Sequence, residues 1–240
     1  MFTIFELSNE ENRLVQEAKN NFGQYFTFSK DMVDYFWTFV NQIDAPAYVF
    51  NAFLTQAGKS LSLSLLSIVR HHVAQSYLVL RSAIESVTLA CYALYKPDEN
   101  NFVRRDENNP QFLHEKSKVK NKAYEWLGQK YPIHSDRLKF AKSDFINKYF
   151  AHSNLIDAIT NVIHGQSKFF NSVFDDSSPL TIKIRLVSFS NLIIVMADLI
   201  GLVLKDYPLA KVKFDHEEQI KRFYAISKSL HQRITNETKI

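Results

Sequence analysis

The sequence predicts an all-α fold, a single-domain up-and-down helical bundle over residues 1–240 with a central antiparallel helix hairpin. The segment Val73–Tyr95 contains no Gly or Pro, and its apolar residues recur at alternating steps of four and three. That spacing follows one face of an α-helix, and a strand does not produce it. Residues 182–203 repeat the spacing, and the chain holds only 5 Gly and 6 Pro, which favours helices joined by short connections.

The central hairpin is predicted from residues 46–95. A helix over residues 47–70 carries a similar apolar stripe and contains Gly58, which costs about 1 kcal/mol relative to Ala in a helix interior. The corner between the two helices is expected at Arg70, His71 and His72. Helices with this near-heptad spacing pack antiparallel at a shallow angle.

Two helices are predicted before the hairpin, within residues 1–45. Ser8 and Glu11 have capping-box spacing, so the first helix is expected over residues 9–22. Gly23 is its expected stop. Ser29 is expected to cap the second helix, over residues 30–43.

The middle of the chain is predicted to alternate loops and helices. A loop over residues 96–110 precedes a helix over 111–129, and Ser135 is expected to cap a helix over 136–151. A short helix over 155–163 and a loop over 165–178 follow. Within residues 111–165, which carry the later motif, the side chains expected to face inward are those of Leu138, Ala141, Phe145 and Tyr149.

The C-terminal part, residues 179–240, is predicted to form two helices. Ser178 and Pro179 are an N-cap followed by Pro in the first turn, so a long helix is expected to residue 205. The last helix is expected over residues 215–234. The stretch 186–204 is apolar enough to suggest a membrane span, but Asp198 near its centre favours a buried core helix. We therefore predict no membrane association.

Composition excludes several classes of site. The formal net charge is +4, a mild excess that is weak support for nucleic-acid binding. The single Cys91 lies on the apolar stripe and is expected to be buried; one cysteine excludes an intrachain disulfide and fits a reducing cytoplasm. The sequence has no phosphate loop, dinucleotide fingerprint or zinc-ligand spacing. No metal and no cofactor are therefore predicted.

Two features are candidates for chemistry. Arg81 and Glu85 lie one turn apart in the apolar central helix. They could form an ordinary surface salt bridge. Alternatively, the pair could be partly buried, in which case it needs further hydrogen-bond partners. His152 follows Tyr149 by one turn on the expected inward face. A lone inward histidine is more often a structural residue than a catalyst.

Together these features resemble bacterial HEPN-type helical proteins of the abortive-infection group and related uncharacterised families. The resemblance is carried by the run LRSAIE at residues 80–85 and by NKYFAHSN at residues 147–154. Members of these families commonly combine an apolar helix bearing R-x-x-x-E with a later R-N-K-x-x-A-H segment. About residues 50–154 are covered.

The resemblance implies a ribonuclease site across a dimer in active members. There a His acts as general acid or base on the ribose 2′-OH, and an Arg stabilises charge at the phosphate. His152 matches the family His and Asn147 the polar residue after the Arg, whereas Ile146 occupies the Arg position. Lys148 matches the family Lys, with Tyr149 and Asn154 as supporting residues.

These observations favour a non-catalytic, cytoplasmic binding or regulatory module, expected to be a homodimer with RNA or another protein as possible partner. The first alternative is a metal-independent ribonuclease using His152, with the cation supplied by Lys148, Arg81 or a partner subunit. The second alternative is a purely structural oligomer. The Arg81–Glu85 pair is expected to be mostly buried and to reach the segment 149–152.

Overall fold

The structure is a computed structural model that describes residues 3–106, 109, 112–148, 150, 162–164, 169–171, 173–175 and 177–237. This part of the chain is predominantly helical, with only small two-stranded sheets, so the predicted all-α helical bundle is confirmed. Its α-helices are α1 (Ile4–Phe22), α2 (Gln24–Thr38), α3 (Tyr48–Val69), α4 (Val73–Tyr95), α5 (Val119–Lys130), α6 (Pro132–Lys139), α7 (Pro179–Asp206) and α8 (His216–Glu237).

The strands are short and pair in three antiparallel ribbons among the described residues. They are β1 (Val40–Ile43), β2 (Val103–Arg105), β3 (Leu113–Glu115), β4 (Val162–His164), β5 (Phe169–Asn171) and β6 (Ala210–Val212). The pairs are β1 with β6, β2 with β3, and β4 with β5. Short 3₁₀ turns occur at Ala45–Ala47 and Glu99–Asn101, and a π-helical segment at Phe140–Asn147 continues α6.

The central hairpin of α3 and α4 forms as predicted. The hydroxyl of Ser64 donates to the Ser76 carbonyl at 2.9 Å, and Ser60 meets Ser82 at 3.4 Å. As residue numbers rise on α3 they fall on α4, so the helices are antiparallel. Small side chains at these contacts allow close approach. Against this hairpin, α7 buries a nearly continuous apolar face, and each of the α-helices α1 to α8 in the described part of the chain contributes to the hydrophobic core.

The N-terminal boundaries differ from the prediction. Helix α1 begins earlier, because Thr3 and Glu6 form the capping box instead of Ser8 and Glu11. Gly23 ends α1 with a φ of 53°, and α2 then begins at once. Ser29 is buried inside α2, where its hydroxyl bonds the Leu186 carbonyl at 3.0 Å. A serine that anchors one helix to another has the same sequence signature as an N-cap.

The middle of the chain also departs from the prediction. Residues 103–105 and 113–115 pair as β2 and β3, so the helix expected from residue 111 begins only at Val119. Residues 162–164 form a strand rather than the end of a helix. The expected helix at residues 155–161 lies outside the described residues. These strands have three residues each, too short to show a period of two in the sequence.

The helix predicted over residues 136–151 is replaced by α6 and the π-helical segment. Ser135 is buried within α6 rather than capping it. The wider π-helical turn changes which side chains face inward: Leu138 and Ile146 are buried, whereas Phe145 is 39% exposed. The expectation that Phe145 faces inward is therefore wrong.

Within the described residues, three helical stretches are long and apolar enough to cross a membrane by length and composition alone: Ala45–Val69, Val73–Tyr95 and Pro179–Asp206. In this fold they pack on one another, and at least half of each apolar window is buried within the protein. The architecture is thus compatible with a soluble protein.

Candidate functional site

The Arg81–Glu85 pair belongs to a larger charge cluster than the sequence indicated. Arg81 Nε donates to Glu85 Oε1 at 3.2 Å. Lys142 Nζ forms an ion pair with the same Glu85 Oε1 at 3.0 Å, and Lys120 Nζ lies 3.5 Å from Glu85 Oε2. Three cations from α4, α5 and the π-helical segment therefore surround one carboxylate.

Electrostatics keep Glu85 ionised. Its side chain is only 19% exposed, and this burial would raise its pKa. The hydrogen bond and charge of Lys142, with help from Arg81 and Lys120, outweigh that effect and lower the pKa below its ordinary value. Lys142 also donates to the Tyr124 hydroxyl at 3.1 Å, so its position is fixed from two sides.

Glu85 is more deeply buried than Arg81: their side chains are 19% and 37% exposed. Lys120 and Lys142 both link Glu85 to residues 111–165, which carry the later motif. Sequence reasoning missed Lys142 because nothing in its local pattern distinguishes it from the solvated lysines around it.

Ile146, which the resemblance aligns with the arginine of HEPN-type proteins, is a core residue. Its side chain is 1% exposed and belongs to the hydrophobic core. The backbone carbonyl of Ile146 accepts from the Phe150 N–H at 2.8 Å, and the Phe150 ring stacks on Tyr77 with centroids 4.3 Å apart. This part of the chain is thus packed against α4.

The remaining predicted site residues are only partly described. Asn147 is half-buried, and its side-chain oxygen has no hydrogen-bond partner among the described residues. Lys148 is exposed. Tyr149, His152 and Asn154 lie outside the described residues, as does any contact between them and Glu85.

A groove that the sequence did not indicate lies between α4, the π-helical segment and α7. Its volume is about 370 Å³. Its walls are mainly apolar, with Leu80 and Phe189 at the base and Ile146 on one side. Two cationic side chains, Arg137 and Arg185, also line it.

Arg185 is held in place by its neighbours. Its Nη1 donates to the Ser177 hydroxyl at 2.8 Å, and Tyr77 is close enough to influence the guanidinium electrostatically. Burial lowers the pKa of Arg185, and the charge of Asp175 opposes that shift. An arginine remains protonated at neutral pH. The signal that could have identified Arg185 is its charge between Ile184 and Leu186, in a long helix that is otherwise mainly apolar.

Among the described residues, no group of three His, Cys, Asp or Glu side chains is arranged to hold a metal ion. No family model matches the chain, and no curated protein and no solved structure matches it. The relation to HEPN-type proteins therefore remains a prediction that depends on residues 80–85 and 147–154.

Proposed function

We propose that the protein is a HEPN-like helical binding or regulatory module without ribonuclease activity, acting in a bacterial or phage-defence setting. The observation that supports this most is the burial of Ile146. A charge-stabilising side chain must reach a phosphate, and this position instead contributes an apolar sec-butyl group to the core.

The other cations are poor replacements. Arg81 and Lys142 are both engaged by Glu85. Their charges are partly compensated, and moving either one to a substrate would leave a half-buried carboxylate with fewer partners. Lys148 is exposed, but its flexible ammonium group cannot form the bidentate hydrogen bonds with which a guanidinium binds phosphate oxygens.

The proposal includes a homodimer as the working form. Ile133 and Phe140 are largely exposed apolar side chains seven residues apart on α6 and its π-helical continuation, a spacing that puts both near one face. Light scattering tests this part directly. A molar mass of twice the 27.9 kDa chain supports it, and the mass of one chain contradicts it.

An RNA degradation assay tests the absence of catalysis. Purified protein in the presence of a chelator is incubated with single-stranded and structured RNA beside a His152→Ala variant. We expect no cleavage above the background that both preparations share. Cleavage by wild-type protein that a folded His152→Ala variant lacks would establish the ribonuclease alternative.

A further inference from the structure

We infer that the groove between α4, the π-helical segment and α7 is a binding site for a small anionic amphiphile, a molecule with an apolar body and one carboxylate or phosphate group. This inference deepens the proposed function, because it names the class of ligand that the binding module takes.

Size and lining define the apolar part of the ligand. A volume of about 370 Å³ falls at the small end of the 300–1,000 Å³ typical of ligand pockets. The base of the groove is formed by buried side chains of three helices, among them Ile68, Leu80 and Phe189. Water in such a space has few polar partners, so an alkyl or aryl group displaces it favourably.

Charge defines the polar part. Arg185 and Arg137 line the groove, and among the described residues no Asp or Glu does so. Arg185 is anchored by its hydrogen bond to Ser177, which reduces the entropy lost when it binds an anion. Arg137 is exposed and makes a 3.4 Å contact with the Tyr224 hydroxyl, so it is available at the rim.

Aromatic side chains complete the site. Tyr77, Phe145 and Tyr224 line the groove, and Phe145 packs edge-on against Tyr77 with centroids 5.2 Å apart. Phe145 is the side chain that the π-helical turn brings out of the core. The same irregularity therefore places Ile146 in the wall and Phe145 beside the opening, and π-helical turns are frequent at functional sites.

Calorimetric titration of the full-length protein tests the inference with four probes that share a ten-carbon chain. These are decanoate, decyl phosphate, decanol and decyltrimethylammonium, all used below their micelle concentrations. We expect one site per chain for the two anions and binding at least about tenfold weaker for the neutral and cationic probes. The tighter of the two anions identifies the headgroup.

Three variants locate the site. Arg137→Gln removes an exposed charge and is expected to weaken anion binding by about tenfold, and Ser188→Trp is expected to block the groove from its exposed wall. Lys139→Gln is the matched control, because it removes an equal charge from an exposed position outside the groove. Its binding should stay within about twofold of wild type.

The result is decisive in either direction. Equal binding of decanol and decanoate, no binding of either anion, or loss of binding in Lys139→Gln as large as in Arg137→Gln would overturn the inference. Melting curves of the variants show that each is folded. Failure here with no RNA cleavage would leave the proposed function intact, whereas RNA cleavage by the wild type would overturn the proposed function itself.

Discussion

Glu85 shows how a single residue joins distant segments. It lies on α4, yet its carboxylate contacts Lys120 of α5 and Lys142 of the π-helical segment as well as Arg81. An isolated Arg–Glu pair one turn apart on a helix contributes only a few tenths of a kcal/mol. The Glu85 carboxylate is mostly buried and interacts with three cations, so we expect it to contribute more than this to the free energy of unfolding.

We predict that Glu85→Gln lowers the free energy of unfolding by about 1–3 kcal/mol at neutral pH, because it leaves Lys142 without its closest anion. The folded pKa lies below the ordinary value of 4.5. The contribution is thus present above pH 4.5 and is lost as the pH falls through the folded pKa. Denaturant titrations from neutral pH to pH 3 measure it.

Glu115→Gln is the control for this prediction. Its carboxylate is more than half exposed and lies 3.8 Å from the same Lys120, so the substitution should change stability by less than about 0.5 kcal/mol. Equal effects of the two substitutions would mean that Glu85 forms an ordinary surface pair.

His216 and Gly201 form a residue pair that sequence reasoning missed. A Cβ on Gly201 would clash with His216 Nε2, so the glycine makes room for a buried imidazole. The imidazole ring lies beside the Tyr35 and Phe39 rings, with centroids 6.0 and 5.4 Å away, and its Nδ1 is hydrogen-bonded to the Tyr35 hydroxyl at 2.7 Å. Nothing local to either residue indicates a contact between α7 and the start of α8.

At the scale of elements, α4 depends on a cap that comes from far along the chain. The residue before it, His72, provides no side-chain cap. The buried carboxylate of Asp175 accepts from the Val73 N–H instead, and the Asp175 N–H donates to the His71 carbonyl at 2.9 Å. A carboxylate at this end also interacts favourably with the helix dipole.

We predict that Asp175→Ala lowers the free energy of unfolding by about 1–2 kcal/mol, the usual effect of removing an N-cap. Asp175→Asn should recover part of the loss, since its side-chain oxygen still accepts. Chemical denaturation of the three proteins provides the comparison. If Asp175→Ala is as stable as wild type, the cap contributes nothing.

Long helices were predicted correctly from the sequence, whereas short strands were not. Helices α3, α4 and α7 were predicted to within one residue at most ends, because an apolar stripe repeated over six turns has no other explanation. Strand β1 pairs with β6, some 170 residues away, and neither has enough residues to show a period. The π-helical segment interrupts the 3.6-residue α-helical period on which the inward orientation predicted for Phe145 depends.

At the scale of the whole molecule, the core determines what the motif region can do. The resemblance aligns Ile146 with an arginine of the HEPN-type families, but the sequence could not show whether the Ile146 side chain is accessible. The fold shows that it is not accessible to solvent, because the Ile146 side chain is buried among residues of α4, α7 and the π-helical segment. The groove and its two arginines come together only when separate helices pack against one another, so no local sequence pattern predicted them.

The proposed absence of ribonuclease activity depends most on the burial of Ile146, and the stability of Ile146→Arg tests that burial most directly. We predict that it unfolds with a free energy lower by about 2–4 kcal/mol, because a charge enters an apolar wall. Asp144→Arg, at an exposed position of the same segment, should differ from wild type by less than about 0.5 kcal/mol. An Ile146→Arg protein as stable as Asp144→Arg would contradict the account, and RNA cleavage by that variant would show that the position faces a catalytic site.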